Sequence, residues 1–231
     1  MDTKKWGPSG WKLLHLISYQ YPVHPTPTDK KNIKEFFELL KYLLPCKYCR
    51  ISIAKFYNEI PIEHYYHNKK KLIEFVYLIH NKVNNKLRDQ GLLKYDNPQL
   101  KDVNEYYNTI HKQKIICSNR DYQGWDFIYS IGFNKSTVRG FNDKLNRFIK
   151  LLCKLHPCTK IRNELKKIID NDNGLLIKGS KILIKELIFI VECRFNGNDK
   201  LSNNEIHNLY KRTCDTYNSF HVSKCNVTCR K

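Results

Sequence analysis

The sequence lacks long apolar runs. Its N-terminal residues do not form the apolar core of a secretory signal. No stretch reaches the roughly 18 to 20 consecutive apolar residues that a membrane-spanning helix needs. We therefore expect no membrane partner, and a protein that stays in the cytoplasm or is packaged from it.

Acidic side chains are also scarce. The chain has 41 Lys and Arg residues but only 22 Asp and Glu residues, which gives a formal charge of +19. Such a charge suits nucleic acid, an acidic membrane surface or an anionic cofactor, and it does not choose among them. Only residues 69–71 form a compact lysine run, whereas a dedicated nucleic-acid binder concentrates its charge on one face or tail. A solvated, lysine-rich surface explains the composition, and nucleic acid is not the expected partner.

Strand-like alternation is scarce as well, and apolar residues recur instead at helical spacing. Thr28 or Asp29 is expected to cap the second helix, and Pro45 to end it. Four helices with short loops, plus a short extra helix, predict a compact four-helix bundle in an all-α protein. The four predicted helices span residues 10–20, 28–44, 46–58 and about 70–88.

The second half of the chain repeats the pattern of the first. Three blocks recur in the same order at offsets of 114, 112 and 112 residues. They pair residues 10–17 with 124–131, 36–46 with 148–158, and 74–79 with 186–191. Duplication explains this order, and two unrelated helical bundles with similar amphipathic spacing are the alternative. We therefore divide the chain into an N-terminal domain, 1–112, and a helical C-terminal domain, 113–231.

The apparent copy lacks chemistry-bearing residues of the first half. Ile161 stands where a second active cysteine would fall, and Tyr129 stands where the first half has His15. The C-terminal domain is therefore expected to be catalytically inactive and to act as a structural partner. The other replacements are Glu192 for His80 and Cys193 for Asn81.

Nine cysteines are unusual for a cytosolic chain, and their odd number excludes complete pairing within the chain. Cys46 and Cys49 are the one pair separated by two residues. The others form looser pairs or stand alone: Cys153 with Cys158, Cys225 with Cys229, and single Cys117, Cys193 and Cys214.

Two cysteines with this spacing at the start of a helix are suited to disulfide exchange. Their sulfurs meet across one turn, and unpaired backbone N–H groups with the helix dipole stabilise a thiolate on the leading cysteine. The same spacing also serves zinc, and Cys46, Cys49, His64 and His67 approach a two-cysteine, two-histidine site. The histidine spacing is one residue short of the usual minimum. A basic, zinc-containing nucleic-acid-binding module is therefore the alternative function.

The residues around the cysteine pair form a longer pattern. In chain order it reads W-G-P-S-G-W-x2-L-H from Trp6, Y-P from Tyr21, P-C-K-Y-C from Pro45, and H-N-K-V-N-x2-L from His80. This order resembles the Erv/ALR family of FAD-linked sulfhydryl (thiol) oxidases, in the form encoded by large nucleocytoplasmic DNA viruses. The resemblance covers roughly residues 5 to 95.

The resemblance implies a mechanism with protein dithiols as substrates. A substrate dithiol would attack the disulfide at Cys46, Cys49 would pass the electrons to FAD, and molecular oxygen would be reduced to hydrogen peroxide. Taken singly, the aromatic, histidine and asparagine residues of the pattern would be interpreted as core or surface. The residues that the resemblance assigns to FAD are Gly7, Trp11, His15, Tyr19, Cys49, His80, Asn81, Val83, Asn84 and Leu87, with Lys86 or Lys94 for the pyrophosphate.

Two features depart from the family pattern. Tyr77 occupies the position of the first cysteine of a structural disulfide, and residues 88–95 replace the G-K-P-x-F segment. The family often has a mobile shuttle pair, for which Cys225 and Cys229 are the candidates. A disulfide that pins the tail, or unused thiols, are the alternatives for that pair. The pair formed by residues 153 and 158 is expected to be structural.

The resemblance also bears on assembly and location. Family bundles usually pair as dimers, so the chain is expected to form a homodimer or to place its C-terminal domain where the second subunit would lie. A viral oxidase would act in the host cytoplasm at replication sites, or in the virion, whose proteins need disulfides that the cytosol disfavours. A flavin-free dithiol isomerase is a further alternative, and it would consume no oxygen.

Overall fold

The computed structural model describes residues 3–113, 115–132, 134 and 137–170. Within these ranges the chain forms eight α-helices and three short 3-10 turns and no β-strand, so the predicted all-α class is confirmed. No helix there is both long enough and apolar enough to cross a membrane. The helices are α1 (Thr3–Gln20), α2 (Pro27–Leu43), α3 (Lys47–Glu59), α4 (Lys69–Asp89), α5 (Leu100–Lys112), α6 (Trp125–Gly132), α7 (Phe141–Leu155) and α8 (Thr159–Asp170). The 3-10 turns are Ile62–His64, Ile115–Cys117 and Arg120–Tyr122.

The first helix starts earlier than its apolar stripe indicates. The stripe begins at Gly10, whereas α1 begins at Thr3 and contains Pro8. Trp6 is buried, and its ring centroid lies 5.8 Å from that of Phe127 in α6. Packing against the second half of the chain therefore stabilises a first stretch of helix that a proline alone would weaken.

The cap of α2 is Thr26, so the prediction of Thr28 or Asp29 as the cap is wrong. The Thr26 hydroxyl accepts a hydrogen bond from the Asp29 N–H at 3.1 Å, and the Asp29 carboxylate accepts one from the Thr26 N–H at 2.9 Å. Pro27 fills the first helical position, where a missing N–H is tolerated. This reciprocal capping box fixes the start of α2. The helix ends just before Pro45, as predicted.

The helix α1 makes contacts with both halves of the chain. It packs on α4, α5 and α6, while α2 packs on α3 and α7. Their buried side chains form one core that includes residues from before and after residue 112. The fifth helix, α5, is the extra helix of the first half, and it turns Tyr107 and Ile110 toward the core. The largest fully buried side chains include Tyr19, Phe36, Phe75, Phe127, Tyr129 and Phe148.

The pair α7–α8 has the same local structure as the pair α2–α3. A proline–cysteine turn joins each pair, at Pro45-Cys46 and at Pro157-Cys158. The residues before the two prolines have nearly the same backbone angles, φ −52° and ψ 133° in the first half and φ −58° and ψ 133° in the second. In each turn an arginine, Arg50 or Arg162, donates to the carbonyl of that residue. The third repeat block, 186–191, lies outside the described residues.

A disulfide joins Cys117 to Cys158 across 41 residues of sequence. The sequence grouped Cys158 with Cys153 and left Cys117 alone, and this grouping is wrong. Cys153 is a free thiol near the end of α7, where it donates to the Ile149 carbonyl of its own helix. The disulfide connects the start of α8 to the segment between α5 and α6. Spacing along the chain could not reveal a partner that only the fold brings near.

Candidate redox site

The two closely spaced cysteines lie at the start of α3. Cys46 is the N-cap residue, and its Sγ accepts a hydrogen bond from the Cys49 N–H at 3.3 Å. Arg50 donates from Nη1 to the Leu44 carbonyl at 2.7 Å and fixes the turn that precedes the helix. A sulfur at this position lies at the positive end of the helix dipole, which stabilises a thiolate. The turn therefore has the local geometry of a reactive cysteine pair.

The two cysteines differ in exposure. Cys46 is 1% exposed, whereas Cys49 is partly exposed. The attack of an external thiol on Cys46, which the resemblance implies, therefore needs access to the more buried of the two residues. Tyr48 and Ile51 are exposed beside the pair, at 41% and 57%. A protein substrate that approaches this turn would contact an apolar surface.

A cluster of aromatic and histidine side chains lies between α1, α4 and α5. The Trp11 indole stacks on the His80 imidazole, with ring centroids 4.0 Å apart and planes 9° apart. His15 Nε2 is 3.1 Å from His80 Nδ1. Tyr107 stacks on His15 at 4.6 Å and also contacts Tyr19 at 5.5 Å between centroids. The structure therefore brings together Trp11, His15, Tyr19 and His80, which the sequence predicted as cofactor-binding residues.

Both histidines of this cluster are neutral near pH 7. Burial lowers the pKa of His15 well below its usual value, and the neighbouring His80 lowers it further. Burial also lowers the pKa of His80 to about 4. His15 Nδ1 is buried without a hydrogen-bond partner, a state that costs about 1–3 kcal/mol. A polar group on a bound ligand would satisfy this nitrogen.

The helix α5 adds an aromatic wall that the sequence motif does not contain. Tyr107 is 8% exposed and covers His15, and the Tyr19 hydroxyl donates to Asn104 Oδ1 at 2.5 Å. Sequence reasoning missed these two residues. The signal that could have found Tyr107 is the helical spacing of apolar residues that pack on the core, at Leu100, Val103, Tyr107 and Ile110. Asn104 is polar and gives no such signal.

The helix α4 connects the aromatic cluster with the cysteine turn. Its Lys86 donates from Nζ to the Ser52 hydroxyl of α3 at 2.8 Å. Ser52 lies one helical turn after Cys49. His80 and Lys86 are about 9 Å apart along the axis of α4, since a helix rises about 1.5 Å per residue. Helix α4 therefore contacts the aromatic cluster through His80 and the helix that follows the cysteine turn through Lys86.

The remaining predicted site residues have varied surroundings. Asn84 is buried one turn after His80. Gly7 is partly exposed in α1, and a Cβ there would meet no atom within 4 Å, so packing does not require glycine at this position. Lys94 is exposed in the segment after α4. The partly exposed members on α4 are Asn81, Val83 and Leu87.

Hydrogen bonds hold the segment between α4 and α5 where the family pattern has a disulfide. The Tyr77 hydroxyl donates to the Pro98 carbonyl at 3.0 Å. The Asn85 carboxamide oxygen accepts from Asn97 at 2.8 Å and from Arg88. The predicted loss of the disulfide at Tyr77 is thus accompanied by a polar connection between the same two parts of the chain.

The zinc-site interpretation has no support in the part of the chain that the structure describes. His64 and His67 are exposed. Among the described residues, no three His, Cys, Asp or Glu side chains gather where they could hold a metal ion. The candidate shuttle, Cys225 and Cys229, lies outside the described residues.

Comparison with known proteins identifies the region that contains this site. The model of the Erv1/Alr family matches residues 8–107. A probable FAD-linked sulfhydryl oxidase of Acanthamoeba polyphaga mimivirus is 35% identical over 85 residues, which cover 36% of this chain and 59% of that protein. The mitochondrial FAD-linked sulfhydryl oxidase of Saccharomyces cerevisiae is 32% identical over 87 residues, 38% of this chain and 45% of that protein.

A viral relative matches a shorter stretch. A putative FAD-linked sulfhydryl oxidase of Invertebrate iridescent virus 6 is 39% identical over 49 residues, 21% of this chain and 44% of that protein. The chain spans about half the length of the curated relatives it matches. The matched range contains the cysteine turn, the aromatic–histidine cluster and Tyr107. Residues 8–107 are therefore the part of this chain that is similar to the Erv1/Alr family.

Proposed function

We propose that this chain is an FAD-dependent thiol oxidase that forms disulfide bonds in protein substrates. The observation that carries the proposal is the connection through α4 between the Cys46–Cys49 turn and the cluster of Trp11, His15 and His80. A dithiol pair at the start of α3 and an aromatic cluster that both adjoin α4 suit electron transfer to a flat redox cofactor. The relatives named as FAD-linked sulfhydryl oxidases support the same activity.

The side chains present fit a flavin nucleotide. The rings of Trp11 and Tyr107 can border an aromatic ring system. The unsatisfied Nδ1 of His15 offers a buried polar contact, and the Lys86 ammonium can pair with a phosphate. When bound, FAD supplies a two-electron acceptor for the dithiol.

The residues of the turn prepare the thiol chemistry. The Cys49 N–H and the positive end of α3 stabilise negative charge on the Cys46 sulfur. The structure shows the pair in its reduced form. In the oxidised form, a Cys46–Cys49 disulfide would accept two electrons and two protons and become a dithiol, while the substrate dithiol becomes a disulfide. Molecular oxygen is the proposed final acceptor, with hydrogen peroxide as the product.

The purified full chain provides the test. We expect flavin absorbance at one flavin per chain and oxygen uptake that depends on an added dithiol. Cys49→Ser should reduce the uptake to background, because Cys46 then has no partner for a disulfide. Cys153→Ser, which changes a thiol outside the site, is the matched control and should retain full uptake.

Three results would reject the proposal. They are a colourless protein, full oxygen uptake by Cys49→Ser, and thiol–disulfide exchange without oxygen uptake, which would indicate a dithiol isomerase. The variant Cys49→Ser also tests the roles of the two cysteines. After reaction with an aromatic disulfide, this variant should carry the aromatic thiol on Cys46, although Cys46 is buried.

Location and assembly extend the proposal. The relatives from a mimivirus and from an iridescent virus support a role in the cytoplasm of an infected cell or in the virion. Detection of the chain in purified particles would test the virion location. A homodimer stays a prediction, and it would have to use surfaces other than the faces of α1 and α2 that pack on α6 and α7.

A further inference from the structure

The contact between α1 and α6 consists of the same interaction made twice. Gly10 approaches Phe127 so closely that a Cβ on Gly10 would lie 2.9 Å from the Phe127 ring. Gly124 approaches Leu13 in the same way, since a Cβ on Gly124 would lie 2.6 Å from Leu13 Cδ2. Gly124 follows Gly10 by 114 residues, and Phe127 follows Leu13 by 114 residues. The two contacts are therefore equivalent: Gly10 packs against Phe127, and the residues that correspond to them, Gly124 and Leu13, pack against each other.

The contact between α2 and α7 pairs equivalent residues directly. Phe36 stacks on Phe148 with centroids 5.2 Å apart and planes 16° apart, and both rings are fully buried. Beside them, the guanidinium of Arg147 donates to both carboxylate oxygens of Glu35. The members of each pair are 112 residues apart, which is the repeat offset.

These two patterns are the signature of a twofold axis. In a symmetric pair, a residue on the axis meets its own equivalent, and a residue off the axis makes a contact that recurs with the partners exchanged. Phe36–Phe148 and Glu35–Arg147 are contacts of the first kind. Gly10–Phe127 and Leu13–Gly124 are contacts of the second kind. Two unrelated helical bundles that happened to touch would not produce both.

We infer that α6–α8 is a built-in partner that occupies, about a local twofold axis, the place of a second copy of α1–α3, and that the Glu35–Arg147 ion pair makes this pairing specific to one chain. Two copies of α2 around the same axis would place Glu35 opposite Glu35, and two copies of α7 would place Arg147 opposite Arg147. Like charges in such positions repel, so the unequal pair favours α2 against α7.

The centre of the α6–α8 unit agrees with a supporting role. Trp125, which corresponds to Trp11, is 4% exposed and donates from Nε1 to Gln123 Oε1 at 2.7 Å. Tyr129, which corresponds to His15, is fully buried against Trp125. The side chains of this unit thus pack on one another at the positions that correspond to the candidate site.

The inference is tested by reversing the charges of Glu35 and Arg147, either both in the same chain or each in a separate chain. Glu35→Arg and Arg147→Glu should each lower the midpoint of thermal unfolding by about 2–6 °C, because each replaces the ion pair with two like charges. The double variant Glu35→Arg/Arg147→Glu restores opposite charges within one chain and should recover most of the loss. An equimolar mixture of the two single variants should stay at the low midpoints, since the pairing lies within a chain.

The neighbouring ion pair of Lys34 with Glu63 provides the matched control. Lys34 Nζ lies 2.6 Å from Glu63 Oε1, so this pair joins α2 to the turn Ile62–His64 within the first half. When Lys34→Glu is combined with Arg147→Glu, the two losses in the unfolding midpoint should therefore simply add. Recovery in the mixture would place the pairing between chains and overturn the inference. Failure of the double variant to recover would also overturn it. None of these readouts involves oxidase activity, so they test the pairing separately from the proposed function.

Discussion

His15 and His80 are 65 residues apart in sequence and share a contact of 3.1 Å between ring nitrogens. Their order in the family pattern predicted both as cofactor-binding residues. It did not predict that they touch each other, because helical spacing gives the face on which each residue lies but not how α1 is rotated against α4. It also gave no sign that one ring nitrogen of His15 would be buried without a partner.

The buried histidines predict loss of stability in acid. Histidine in an unfolded chain titrates near pH 6.5, whereas the pKa of His80 in the fold is about 4. Between these values the unfolded chain binds more protons, so stability is full above about pH 6.5 and falls as the pH approaches 4. We expect His80 to account for about 2 kcal/mol of that loss, a value reduced for its partial exposure. His80→Gln should make the free energy of unfolding depend less steeply on pH.

Chemical denaturation at pH 7.5 and at pH 4.5 would measure this slope. His24 is exposed in the connection between α1 and α2, and His24→Gln is the matched control that should keep the steep dependence. An unchanged slope in His80→Gln would contradict the assignment of the acid sensitivity to this histidine.

At the scale of helices, the sequence predicted that the helices of the first half exist better than it predicted where α1 and α2 begin. The stop at Pro45 and the cysteine turn were predicted because proline acts locally on the backbone. The start of α1 was not, because Trp6 is held by a ring in the second half of the chain. The cap of α2 was missed although Thr26, Pro27 and Asp29 form a recognisable capping box. Local rules therefore sufficed where the cause was local, and failed where a distant helix supplied it.

The helix α5 should contribute to cofactor retention through Tyr107. Tyr107→Ala removes the ring that stacks on His15, and a stacking contact of this kind is worth about 0.5–1.5 kcal/mol. We therefore expect flavin affinity to fall roughly 2- to 10-fold, measured as flavin per chain during titration of the flavin-depleted protein. Tyr107→Phe keeps the ring and should bind flavin nearly as well as the unchanged chain.

The adjacent Tyr106 serves as the control for general damage to α5. It is 47% exposed, so Tyr106→Ala should leave flavin affinity within twofold. An equal loss in both alanine variants, or no loss in Tyr107→Ala, would remove Tyr107 from the set of cofactor contacts.

At the scale of the whole molecule, one core and one disulfide connect the two halves. The repeat offsets in the sequence correctly aligned α7 and α8 with α2 and α3. The bond from Cys117 to Cys158 was not predictable, because a repeat aligns Cys158 with Cys46 and says nothing about Cys117. The fold had to bring the end of the 3-10 turn Ile115–Cys117 next to the start of α8.

Removal of this disulfide should be costly. A closed loop with a sequence separation of 41 corresponds to about 4 kcal/mol of unfolded-state entropy. Cys117→Ser should therefore lower the midpoint of thermal unfolding by on the order of 10 °C. Cys153→Ser changes a thiol outside the bond and should lower it far less. Equal midpoints for the two variants in calorimetry would show that the bond contributes little.

The stacking of Phe36 on Phe148 within one chain has a consequence for enzyme kinetics. Two separate subunits come apart on dilution, whereas two units joined by a short connection keep an effective concentration in the millimolar range. Helix α2, and with it the cysteine turn at the start of α3, would then stay supported when only a few copies are present. The rate per molecule should accordingly be independent of protein concentration, even far below the range in which ordinary dimers dissociate.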